Sequence, residues 1–139
     1  MSQLTRFLFP LPAPRSEAAI VGWWERRRPA YNLVVGTTGV VTLSLVRLLF
    51  ALPPSASATP PFDGNLVAGV VIYGVMANVC YTLGWLVEGA MHALWGDGVR
   101  PAGGVMFRHG LVFAVGVTLL PVAIAGLVWG SRVLSWIAH

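Results

Sequence analysis

Three apolar runs divide this chain, from Ala30 to Leu52, Leu66 to Trp95 and Val105 to Ala138. Each exceeds the roughly 20 residues an α-helix needs to cross a hydrocarbon core about 30 Å thick. The alternative way to span a bilayer, a β-barrel, uses shorter strands that alternate apolar with polar residues. A run such as "LVAGVVIYGVMANV" is instead apolar on every side. Composition points the same way: 56% of the 139 residues are hydrophobic and 10% are charged. An ordinary soluble domain carries about a quarter charged residues. The expected fold is therefore an all-α membrane protein. A tail over residues 1–29, containing a short interfacial helix, precedes a transmembrane domain over residues 30–138, with spans near 30–52, 66–95 and 105–138.

The amino-terminal stretch is not a secretory signal, because Pro10, Pro12 and Pro14 interrupt its apolar residues too early. Phe7 to Pro14 is expected to be extended and to lie against membrane or a partner. Ser16 followed by Glu17 reads as a helix start, and Ala18 to Arg28 as a short helix in the membrane interface. Trp23 and Trp24 suit the headgroup level, and Arg26, Arg27 and Arg28 are placed to meet lipid phosphates. Pro29 should end this helix and begin the next.

All nine basic residues are arginine. They cluster beside the spans rather than among aromatics on a soluble face, so anionic lipid is the expected partner and nucleic acid is not. Arg6, Arg15, Arg26, Arg27, Arg28, Arg100 and Arg108 share one side, against Arg132 near the far end of the third span. The positive-inside rule then places the amino terminus in the cytoplasm and the carboxyl terminus outside, in a multi-pass protein of the bacterial inner membrane.

Small residues mark the expected packing faces. Asn32, Gly36, Gly39, Leu43 and Arg47 recur at helical spacing in the first span, with Thr37, Thr38 and Thr42 available for hydrogen bonds between helices. The third span carries Gly110, Ala114 and Thr118, then Pro121, which should bend it, then Gly126 and Gly130 as a GxxxG pair. Three helices cannot cover all these faces among themselves, so at least one should meet another protein.

The second span holds a polar stripe. Gly74, Asn78, Tyr81, Trp85, Glu88 and His92 recur at alternating steps of four and three, which puts them on one face. An intramembrane carboxylate is costly unless it is paired or functional, so Glu88 raises two readings. In the first it is a proton or cation site lined by Asn78 and Tyr81. In the second, favoured by the length of the run, Glu88 lies at the inner boundary, pairs with arginine and ties the second helix to a neighbour. Arg47 sits slightly inside the outer boundary and can extend its stem to the headgroups.

His92 and His109 flank the inner loop and are the candidate ligands for a tetrapyrrole, a haem held by both or a chlorophyll on either. The residues four before them, Glu88 and Val105, are not the small residue usual before a light-harvesting ligand. No cofactor is expected on balance. Cys80 stands alone and reads as a packing residue. The chain carries no histidine-carboxylate metal motif, no phosphate-binding loop and no nucleophile elbow, so no catalytic residue is expected.

"WWERRRPAYN" followed by "NVCYTLGWLVE" resembles short uncharacterised bacterial inner-membrane proteins with a basic-YN start to one helix and a YTxGWxxE phrase in a later one. The resemblance implies no function. The residues point to a small non-catalytic accessory subunit of a larger membrane assembly, of the energy-transducing photosynthetic or respiratory kind, with other membrane subunits as partners. The alternatives are a homo-oligomeric channel or transporter lined by the Glu88 stripe, and a haem or pigment carrier.

Overall fold

The computed structural model describes residues 16–54, 64–96 and 102–138. The expectations for Phe7 to Pro14, Arg6, Arg15 and Arg100, and most of both loops, fall outside the described residues. The described chain is helical: α1 (Glu17–Glu25), α2 (Arg28–Ala51), α3 (Gly64–Trp95) and α4 (Gly103–Ile137). The last three occupy the three apolar runs. Three helical stretches are long and apolar enough to cross a membrane, with α1 and α2 forming one of them from Glu17 to Ala51.

Local chemistry sets the first helix. Ser16 is extended, and its Oγ accepts a hydrogen bond from the Ala19 amide at 3.2 Å, while Glu17 places negative charge at the positive helix end. The helix stops at Glu25, short of the expected Arg28. Pro29 lies in the first turn of α2, where it has no N–H to give to the carbonyl four residues back, that of Glu25. Carbonyls of the last turn of α1 accept from side chains, in addition to the backbone amides of Arg26 and Arg27 that reach Gly22 O and Trp24 O. Arg26 Nε donates to Gly22 O at 2.9 Å, Arg27 Nη1 to Trp23 O at 2.8 Å, and the Tyr81 hydroxyl to Trp24 O at 2.5 Å. Arginines expected against lipid phosphate thus cap the end of a helix.

Packing is uneven. α2 and α4 run against each other over much of their length, α3 is held chiefly by α1 and α4, and α2 touches α3 sparsely. The buried core gathers at one end, from Ile20, Trp24, Tyr31, Val35, Tyr81, Phe107 and Ala114. Farther along, the Thr42 hydroxyl donates to Thr118 O at 2.9 Å and so joins α2 to α4, the role expected of it. Tyr73 of α3 joins the same place, its hydroxyl 2.5 Å from Thr118 Oγ1. At the far end Trp129 Nε1 donates to Pro53 O at 3.1 Å. α4 continues through Pro121 as one helix.

The expected glycine faces are mostly open. A Cβ at Gly36, Gly74, Gly126 or Gly130 would have nothing within 4 Å, and one at Gly39 would just reach Thr118 Cγ2 at 4.0 Å. The close approaches occur elsewhere. A Cβ on Gly84 would lie 2.8 Å from the Trp24 ring, and one on Gly103 would collide with the Glu88 carboxylate.

Candidate functional site

Glu88 is the centre of a buried polar arrangement that links three helices. It sits near the end of α3 and is 5% exposed. Its Oε2 accepts a hydrogen bond from the Trp24 indole N–H at 2.7 Å, and its Oε1 accepts one from the Gly103 amide at 3.1 Å. One carboxylate therefore joins α1, α3 and the beginning of α4. Of the arginines expected to pair with it, Arg100 lies outside the described residues.

The bond to Gly103 explains how α4 begins. The first amides of a helix lack intrahelical partners and carry the positive end of its dipole. Ala102, at the N-cap position, has no side chain that can accept from them. Glu88 supplies that acceptor from the preceding helix, and its negative charge has the favourable sign. The absence of a Cβ at Gly103 is what lets the carboxylate come so close. Gly103 and Gly104 are both buried.

Aromatic rings wall the carboxylate off. Trp24 stands edge-on to Tyr81 at 5.3 Å between ring centres and to Phe107 at 6.2 Å, and Tyr31 leans on Tyr81 at 4.7 Å. Such edge-to-face contacts suit the ring quadrupoles. Trp24, expected among lipid headgroups, is 2% exposed and enclosed by protein. Its ring lies over Gly84, where a larger residue would push it away from Glu88. Trp23 is partly buried, with the Arg27 guanidinium 3.8 Å over its ring. The indole N–H groups of Trp23 and Trp85 are buried without an acceptor, so of the three indoles in this layer it is Trp24 that serves the carboxylate.

Asn78 of the stripe also faces protein. Asn78 Nδ2 donates to Gly74 O at 3.0 Å, and its Oδ1 accepts from Arg28 Nη1 at 3.4 Å. Arg28 also donates to Thr82 Oγ1 at 3.2 Å and grips Glu25 through Nε and Nη2 at 2.8 and 2.7 Å. The stripe is thus a contact face at Asn78, Tyr81 and Glu88.

The two histidines are not drawn into this centre by any described contact. His92 is half-buried, while His109 is exposed with Nδ1 2.8 Å from Val105 O in its own helix. No group of three or more metal-ligating side chains occurs among the described residues. Arg47 and Arg108 are exposed, as is Cys80, which was expected to pack.

Gly84 and Gly103 are the parts of this site that the sequence did not single out, and Trp24 was singled out for the headgroup level rather than for Glu88. One signal was available: the helix beginning "AGGVMF" has no Ser, Thr, Asp or Asn to cap it, and the acids that precede it in sequence are Asp97 in the loop and Glu88 near the end of the preceding helix. Comparison with known protein families, with curated proteins and with solved structures finds no match to this chain.

Proposed function

We propose that this chain is a non-catalytic structural subunit of a larger membrane assembly. The observation that carries the reading is how much of the bundle stays open. Gly36, Gly126 and Gly130 have no neighbour where a Cβ would point, although such faces drive helix association in lipid. The polar groups that an active membrane protein would present to a pathway are engaged instead in holding helices: Tyr81 on α1, and Glu88 on α1 and α4.

Helix lengths support a particular placement in the bilayer. Gly64 to Thr82 runs about 28 Å at the helical rise, close to the thickness of a hydrocarbon core. That stretch ends level with Arg28, which bonds Thr82 and begins α2. We set one boundary there and the other near Pro53 and Trp129, which bond each other. Leu83 to Trp95, about 20 Å more of α3, then projects past the core beside α1 and the start of α4. On this placement Glu88 is outside the hydrocarbon, and the arginine count makes the projecting side cytoplasmic in a bacterial inner membrane.

The projection strengthens the subunit reading. Leu83, Leu86, Val87, Leu94 and Trp95 remain exposed on it, between 45% and 72%. Apolar surface of that extent beyond the hydrocarbon calls for a protein partner. Purification of the tagged chain in mild detergent, followed by mass spectrometry, tests the proposal. Recovery with a constant set of other membrane proteins is expected. Recovery as a homo-oligomer alone would overturn it and favour a small channel.

A further inference from the structure

We propose that the groove between the beginning of α2 and the middle of α3 binds one anionic diacyl phospholipid, its phosphate at Arg28 and an acyl chain along α3. This rests on the placement of Arg28 at the membrane boundary. The groove is open to the outside, has a volume of about 610 Å³ and is amphiphilic in one direction. Its polar end is formed by Arg28, Asn78 and Thr82, and its wall by Val71, Val75 and Val79, which are 58%, 58% and 47% exposed. Gly74 keeps the floor low, with nothing within 4 Å of a Cβ there.

Charge selects the headgroup. Arg26, Arg27 and Arg28 stand together where α1 gives way to α2, and the acid next to them in sequence, Glu25, pairs with Arg28. The segment therefore keeps an excess of positive charge at the depth where lipid phosphates lie. Within Arg28 the bond to Asn78 is the longest, at 3.4 Å, and a phosphate oxygen replacing it would gain a charge-assisted partner while Glu25 keeps the other side of the fork. The dimensions agree: one leaflet is about 15 Å deep, and α3 covers that depth in about ten residues from Asn78 toward Gly64.

The test uses the full chain in nanodiscs of equal phosphatidylglycerol and phosphatidylcholine, with retained lipid measured by native mass spectrometry as bulk lipid is stripped. The expected result is one retained phosphatidylglycerol per chain. Gly74→Leu, which fills the groove, should lower retention about five-fold with helix content unchanged. Should Gly74→Leu not fold, Val75→Trp blocks the same wall from the exposed side. Equal retention of phosphatidylcholine, or undiminished phosphatidylglycerol in a folded groove variant, would overturn the proposal. Neither result bears on whether the chain purifies within a larger complex, so the two readings fail separately.

Discussion

Replacing Glu88 by Gln tests the central tie almost without changing its shape. The carboxylate offers one oxygen to the Trp24 indole N–H and the other to the Gly103 amide. Glutamine keeps one acceptor and turns an NH2 toward the remaining donor, so one bond is lost and two donors are left facing each other. A hydrogen bond to a charged group contributes about 1.5 to 3 kcal/mol, and loss of a helix cap costs about 1 kcal/mol. Glu88→Gln should therefore destabilise the fold by about 2 kcal/mol, and Glu88→Ala, which removes both acceptors, by about 4 kcal/mol. The assay is reversible unfolding in mixed micelles, read by tryptophan fluorescence and circular dichroism. Because Trp24→Phe also loses packing, a double-mutant cycle is needed to isolate the pair. Ordinary hydrogen bonds between membrane helices average about 0.6 kcal/mol in such cycles. A buried carboxylate should exceed this, with a coupling of about 1 to 2 kcal/mol. Coupling at or below about 0.5 kcal/mol in folded variants would refute the reasoning that Glu88 holds α1 through Trp24.

Gly84→Ala should destabilise by about 1 to 3 kcal/mol, because its Cβ would lie 2.8 Å from a ring confined by Tyr81 and Phe107; the same unfolding assay checks it. Thr42→Val should cost about 0.5 to 1 kcal/mol through loss of the bond to Thr118 O, and near-ultraviolet circular dichroism should stay native. Gly126→Leu together with Gly130→Leu should leave the isolated chain as stable as before, since both positions are open, yet lower recovery of partner proteins in mild detergent.

The spans were readable because hydrophobic length is a property of the run itself, and the start of α1 was readable because Ser16 acts on an amide three residues away. The Asn78-to-Glu88 face was readable for the same reason: helical spacing fixes which residues share a side, whatever they meet. What they meet was not. Glu88 was expected to seek an arginine, and its described partners include an indole 64 positions away. Gly84 and Gly103 do not differ from the other glycines by any local pattern, since what distinguishes them is a ring and a carboxylate from other helices. The GxxxG pair shows the converse. Gly126 and Gly130 satisfy a local motif, but a motif on one helix cannot say whether the matching face belongs to the same chain.

The membrane register decides what sort of residue Glu88 is. Were it inside the hydrocarbon, its charge would carry a penalty that invites a transport role. In the proposed register it lies about two turns beyond Thr82, and the helix dipole of α4 and two hydrogen bonds offset its burial at the headgroup level. Single cysteines distinguish the two cases once Cys80, which is exposed, has been replaced by Ala. Ala90→Cys and Leu94→Cys lie on exposed turns of the projecting end, and Val71→Cys and Val75→Cys on exposed turns of the proposed slab. In inverted membrane vesicles that hold this chain without its partner proteins, a membrane-impermeant maleimide should label the first two rapidly and the last two at least tenfold more slowly, since a thiolate forms poorly in hydrocarbon. If position 75 reacts as fast as position 94, α3 does not cross where its length and the Arg28 contact place it. If position 90 is protected in vesicles but labelled after detergent extraction, the boundary lies farther along α3 and Glu88 returns to the membrane interior.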